Sequence, residues 1–115
     1  MKKCKITVLK TLLMEDLAKE YGAEGVGACP LHKVGQTYFA DWEKPEGFCD
    51  EAWKAIHAYV FALAHDAGVF FYGNWIDKPG VAICSCSDGL RPVVFKVERT
   101  DEESTRENSL FSKYK

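Results

Sequence analysis

One stretch limits the possible folds more than any other. Between breaks marked by glycine and proline, Trp53, Ile56, Val60, Leu63 and Ala64 fall on one side of a helix, with Ala52, Ala55, Tyr59 and Ala62 beside them. An apolar surface that wide has to be covered, and a sheet is the usual cover. Pro45 and Gly47 precede this helix and Asp50 and Glu51 suit the positive end of its dipole, so it should start near 48–50; Gly68 marks its end. The flanking segments supply strands. Lys5 to Lys10 alternates, with Cys4, Ile6 and Val8 on the core side and Lys5 and Thr7 outside. Gln36 to Trp42 also alternates, but with apolar residues on both sides, which predicts a strand buried on both faces.

Met14, Leu17, Ala18 and Tyr21 predict a short helix with one apolar face, stopped by Gly22 in a left-handed cap. Gly80 to Arg99 reads as two strands joined at a tight Asp88-Gly89 turn, with Val93, Phe95 and Val97 inward and Pro92 at a strand start. The expectation is a single α+β domain in the order β-α-β-α-β-β, its antiparallel C-terminal hairpin packed on the long helix. Residues 1–99 form the globular part. From 100 to 115 the composition turns polar, TDEESTRENS, and predicts a solvated tail in which Leu110, Phe111 and Tyr114 are the only grips for a neighbour.

A chain of 115 residues fits one core. Its 47% apolar and 28% charged residues suit a soluble globular protein. Net charge is −2 with the basic residues scattered, which argues against nucleic acid as a partner. The basic start, Met1-Lys2-Lys3, is not followed by an uninterrupted apolar run, so neither a signal peptide nor a membrane span is expected. Five cysteines is an odd number, consistent with a reducing cytoplasmic setting in which thiols stay free or bind metal.

Those cysteines carry the functional reading. Cys29 precedes Pro30 in a glycine-rich loop, Cys49 lies at the start of the long helix, and Cys84 and Cys86 share a strand face about 7 Å apart. If the strand end abuts the helix N-terminus, three or four sulfurs converge, enough for a zinc ion or an iron–sulfur cluster. Arg91 adds a positive charge that favours thiolate, and it and Asp88 are candidate contacts for an anion or small ligand. The competing readings are cysteines as small buried hydrophobes and as reactive thiols. His32, three residues after Cys29, has metal-site spacing but as a lone loop histidine is expected at the surface. His57 is expected to pack, and His65 to complement the helix dipole. Glu24 and Glu46 are acids beside glycines, suited to general-base work. Phe70, Phe71, Tyr72 and Trp75 form an aromatic loop that either folds over the core or makes a homo-oligomer interface.

Several blocks, Glu24-Gly25-Val26-Gly27-Ala28-Cys29-Pro30, Lys33-Val34-Gly35-Gln36, Pro45-Glu46-Gly47-Phe48-Cys49 with Ala52-Trp53, and Cys86-Ser87-Asp88-Gly89-Leu90-Arg91-Pro92-Val93, occur in this order. Together they resemble a family of short uncharacterised proteins common in anaerobic bacteria and archaea, over about residues 3–99. The resemblance implies a shared cysteine set at Cys29, Cys49 and Cys86, with Cys4, Cys84 and His32 outside it. It supplies a signature rather than a reaction. A three-cysteine site leaves one coordination position open for water, a small molecule, a redox partner's group or a neighbouring subunit.

Overall fold

In the computed structural model, which describes residues 1–104, alternation becomes sheet wherever the sequence carries it. Strand β1 (Lys2–Thr11) buries Cys4, Ile6 and Val8 to 1% exposure or less. Helix α1 (Glu15–Tyr21) follows, then β2 (Thr37–Ala40), helix α2 (Asp50–Ala64), a single 3-10 turn at Phe71–Gly73, β3 (Val81–Ser85) and β4 (Val93–Glu103). The four strands form one antiparallel sheet in the order β2-β1-β4-β3, with β1 and β4 central. Registers place Tyr38, Ile6, Val97 and Ala82 in one row across it and Val8, Phe95 and Cys84 in the next. Because side chains alternate between faces, these rows make one continuous apolar surface.

That surface is what α2 covers. Ala52, Ile56, Val60, Leu63 and Ala64 are its buried positions, and they join Phe48, Phe95 and the inner residues of β1 and β4 in one core. Each large side chain fully buried there contributes about 1.5–3 kcal/mol of transfer free energy. On the opposite face Lys5 stands across from Glu98 and Thr7 from Lys96, and Lys96 and Glu98 pair at 2.9 Å, as suits a wetted sheet face. No helix among the described residues is long and apolar enough to cross a membrane.

Several expectations are corrected. β2 is a short edge strand paired with β1 alone, and Thr37 and Phe39 are exposed because they alternate onto the sheet face opposite α2. Helix α1 buries none of its residues, and Tyr21 is 73% exposed. Gly22 ends α1 in an extended conformation, φ −71°, and not a left-handed one. Its glycine is required by crowding, since a Cβ there would lie 2.5 Å from the Ala18 carbonyl oxygen. α2 stops at Ala64, four residues before Gly68, where Arg99 donates from Nη1 to the carbonyls of Leu63 (3.3 Å) and Ala67 (2.6 Å).

Asp88-Gly89 is not a two-residue turn either: residues 86–92 join β3 to β4, and Asp88 Oδ1 accepts from the backbone N–H groups of Leu90 and Arg91. Finally, β4 runs four residues past Arg99. Thr100 donates its hydroxyl to the Lys3 carbonyl, and Lys2 and Lys3 pair with Glu103 and Glu102, so the acidic run continues the sheet against the basic start of β1. Leu110, Phe111 and Tyr114 lie outside the described residues.

Candidate functional site: a cavity lined by three cysteines

Each of the three cysteines is positioned by a different kind of element. Cys29 belongs to the loop between α1 and β2. That loop takes a left-handed step at Gly25 (φ +79°) and is tied to the sheet where Gly35 N–H donates to Val8 O and Val8 N–H to Gln36 O, both at 2.9 Å. Cys49 is the N-cap of α2. Its carbonyl accepts from Trp53 N–H at 2.9 Å while its thiol makes no capping bond, which leaves the sulfur free at the positive end of the helix. Cys86 follows β3, donates its N–H to Val93 O, and has its Sγ accept from Val93 N–H at 3.3 Å. Backbone donors to sulfur of this kind are common around metal-bound cysteine.

All three line one cavity of about 170 Å³, together with His32, Ala52, Asp88 and Arg91. That volume is close to the ~150 Å³ of a cavity that admits benzene and below the ~300–1,000 Å³ of pockets for drug-sized ligands. The site therefore has room for an ion, a small cluster or a small molecule. The remaining two cysteines do not line it. Cys84 packs into the core opposite Phe95, and burial pushes its thiol up to about 12. Cys4 is fully buried with its thiol directed at the Val60 carbonyl (3.7 Å), and burial raises it to about 11. Every cysteine is a free thiol.

The charge placed beside the sulfurs differs from the sequence expectation. Arg91 Nε donates to Asp88 Oδ2 at 3.1 Å, and each side chain is 41% exposed. The backbone N–H groups of Arg91 and Leu90, helped by the guanidinium, hold the Asp88 carboxyl below its usual value. Arg91 is thus a partner of Asp88 at the cavity wall and not an isolated cation beside a thiol.

His32 is the largest departure. It is 4% exposed, packed among the rings of Phe48, Phe95 and Tyr38 at centroid separations of 5.1, 5.5 and 5.9 Å. Nδ1 meets the Tyr38 hydroxyl at 3.4 Å, and Nε2 is buried without a hydrogen-bond partner. Burial lowers its pKa, opposed by the Gln36 side chain, whose amide oxygen also accepts from Lys33 N–H. The imidazole is therefore neutral at neutral pH.

Other candidates fall away from the cavity. His57 Nε2 lies 3.3 Å from Trp42 O and stacks near Trp53; His65 caps α2, its Nδ1 2.8 Å from Phe61 O. Glu24 and Glu46 are exposed, and neither lines the cavity. Asp41, unremarked in the sequence, is 3% exposed: it accepts from Trp42 and Glu43 N–H and from the Ser104 hydroxyl, closing the corner after β2.

The donor chemistry of this cavity, three thiols and a neutral imidazole with the carboxylates of Glu51 and Asp88 also on its wall, suits a soft or borderline metal. As the side chains stand, no three His, Cys, Asp or Glu among the described residues are close enough together to hold one ion. A cysteine has three staggered χ1 wells, so its sulfur reaches different points from one backbone position. The chain matches no family model, no curated protein and no solved structure.

Proposed function

We propose that this is a small metal-binding protein in which Cys29, Cys49 and Cys86 hold a zinc ion or an iron–sulfur cluster. One observation carries the reading: thiols from a loop, a helix cap and a strand end, distant in sequence, line a single small cavity. Three thiols beside the N-terminus of α2 supply the negative charge that a cation requires, and the backbone N–H on Cys86 Sγ supplies an outer-shell donor. Once bound, zinc brings Lewis acidity or a structural brace, and a cluster brings electron transfer. Asp88 and Arg91, on the same wall, would contact a small anionic or polar molecule arriving beside it. Five free thiols favour a reducing, cytoplasmic setting.

The test is anaerobic purification followed by elemental analysis and an absorption spectrum, on the wild type and on Cys49→Ser. Zinc near one per chain, or iron with sulfide and broad visible absorption, is the expected outcome, lost or strongly reduced in the variant. A folded wild type that stays colourless and metal-free, and takes up neither metal on reconstitution, overturns the proposal.

A second reading, a cofactor-free oligomeric module, is favoured by the loop after α2. Phe70 and Trp75 fold back on Tyr59, but Phe71 and Tyr72 are 60% and 101% exposed, both at positive φ. Two strained rings held in solvent suit contact with a second copy of the chain.

A further inference from the structure

We propose that His32 is the fourth donor of this site, its Nε2 completing a four-coordinate Cys3His centre for a divalent ion of the zinc class. The inference rests on the three-thiol reading and goes beyond it, because the fourth coordination position is then filled from within the chain and the metal has no vacancy for substrate.

The orphaned nitrogen is the starting point. A buried polar atom without a partner forfeits its hydration with nothing in return, and native structures place few of them. Nε2 of His32 is such an atom, in a residue that lines the same cavity as Cys29, Cys49 and Cys86. Around the ring lie Phe48, Phe95, Tyr38 and the Gln36 side chain, and the cavity that the residue lines also carries the three thiols. The other ring nitrogen is already engaged. The tautomer in which Nδ1–H donates to the Tyr38 hydroxyl leaves the lone pair on Nε2, and that is the tautomer a metal selects. Phe48, Phe95 and Tyr38 all pack against the ring, with Phe48 and Phe95 only 5.3 Å from each other, so little freedom is left to lose on binding.

The local sequence agrees. Cys29 and His32 are three residues apart on one loop, a separation suited to two ligands of one ion, while Cys49 and Cys86 come from the helix cap and the strand end. Closing the set asks for side-chain rotation chiefly at Cys29 and Cys49, since the ring is packed and Cys86 Sγ is held by Val93 N–H. A Cys3His set with no position to spare describes a structural centre that ties the α1–β2 loop to α2 and to the β3–β4 connection.

Cobalt(II) titration of the reduced full-length chain tests this, in the wild type, His32→Gln and Tyr38→Phe, followed by zinc competition. The wild type should give thiolate-to-cobalt charge transfer and tetrahedral d–d bands that zinc abolishes. Tyr38→Phe should keep the bands and weaken binding by about 10–100-fold, the usual cost of an outer-shell partner. His32→Gln should weaken it by more than that and shift the d–d envelope while the charge transfer persists. A His32→Gln protein with unchanged affinity and spectrum overturns the inference and leaves the three-thiol site intact. A wild type that binds neither ion overturns both. Should His32→Gln fail to fold, X-ray absorption at the zinc edge of the loaded wild type decides: three sulfurs and one imidazole nitrogen support the inference, and any other shell overturns it.

Discussion

A single thiol in this chain behaves according to what surrounds it. Cys4 and Cys84 sit among hydrocarbon, and burial raises them to about 11 and about 12. An unfolded cysteine titrates near ~8.5, so for both groups the folded value lies above the unfolded one. Their contribution to stability is fully present below about pH 8.5 and is lost as pH rises towards the folded values. In reducing, metal-free buffer the free energy of unfolding from denaturant titration should therefore fall between about pH 8.5 and 10.5, and the Cys4→Ala/Cys84→Ala double variant should lose much of that slope. A wild-type profile that stays flat over this range would contradict the assignment. His32 shows the same dependence on surroundings in another form: nothing in Leu31-His32-Lys33 announces burial, and only the neighbouring rings of Phe48, Phe95 and Tyr38 remove it from water.

At the level of elements, the link between α2 and β4 rests on Arg99. It stands opposite Cys4 in the register of β1 and β4, and its guanidinium donates to the carbonyl of Leu63, which also accepts from Asp66 N–H, and to that of Ala67 just past the end of α2. Gly80, at φ +75°, accepts from Arg99 N–H and donates to Gly68 O, so the start of β3 is tied into the same corner. Arg99→Ala should lower stability by about 2 kcal/mol in denaturant titration, the scale expected for charge-assisted bonds to part-buried carbonyls. Arg99→Lys should recover only part of it, because an ammonium lacks the planar fork. A loss below about 0.5 kcal/mol for Arg99→Ala would mean that water replaces the guanidinium at no cost.

Over the whole molecule, the cavity and the aromatic loop lie at different parts of the fold: the cavity collects the N-terminus of α2 and the strand ends, while the loop follows the C-terminus of α2. Metal binding and self-association should therefore separate by mutation. In sedimentation velocity the wild type should show a concentration-dependent oligomer that Phe71→Ser/Tyr72→Ser converts to monomer with its metal content unchanged. A wild type that is monomeric at every concentration removes the oligomeric reading.

The sequence by itself determined the elements. Strand β1 and helix α2 were legible because a period of two and a period near 3.6 are local properties, written in Cys4, Ile6 and Val8 and in Ile56, Val60 and Leu63. Even the start of α2 at Cys49 could be read from Pro45, Gly47 and the acids that follow. What only the tertiary structure decided was everything that depends on which distant segments become neighbours. Residues 100–103 are strand because Lys2 and Lys3 lie opposite Glu103 and Glu102, α1 is exposed because no element covers it, and Arg91 is neutralised by Asp88 across a loop longer than a tight turn. The gathering of Cys29, Cys49, Cys86 and His32 around one cavity belongs to the same class. The free energy that brings them together is spent on burying the core between α2 and the sheet, and no local pattern in the chain records it.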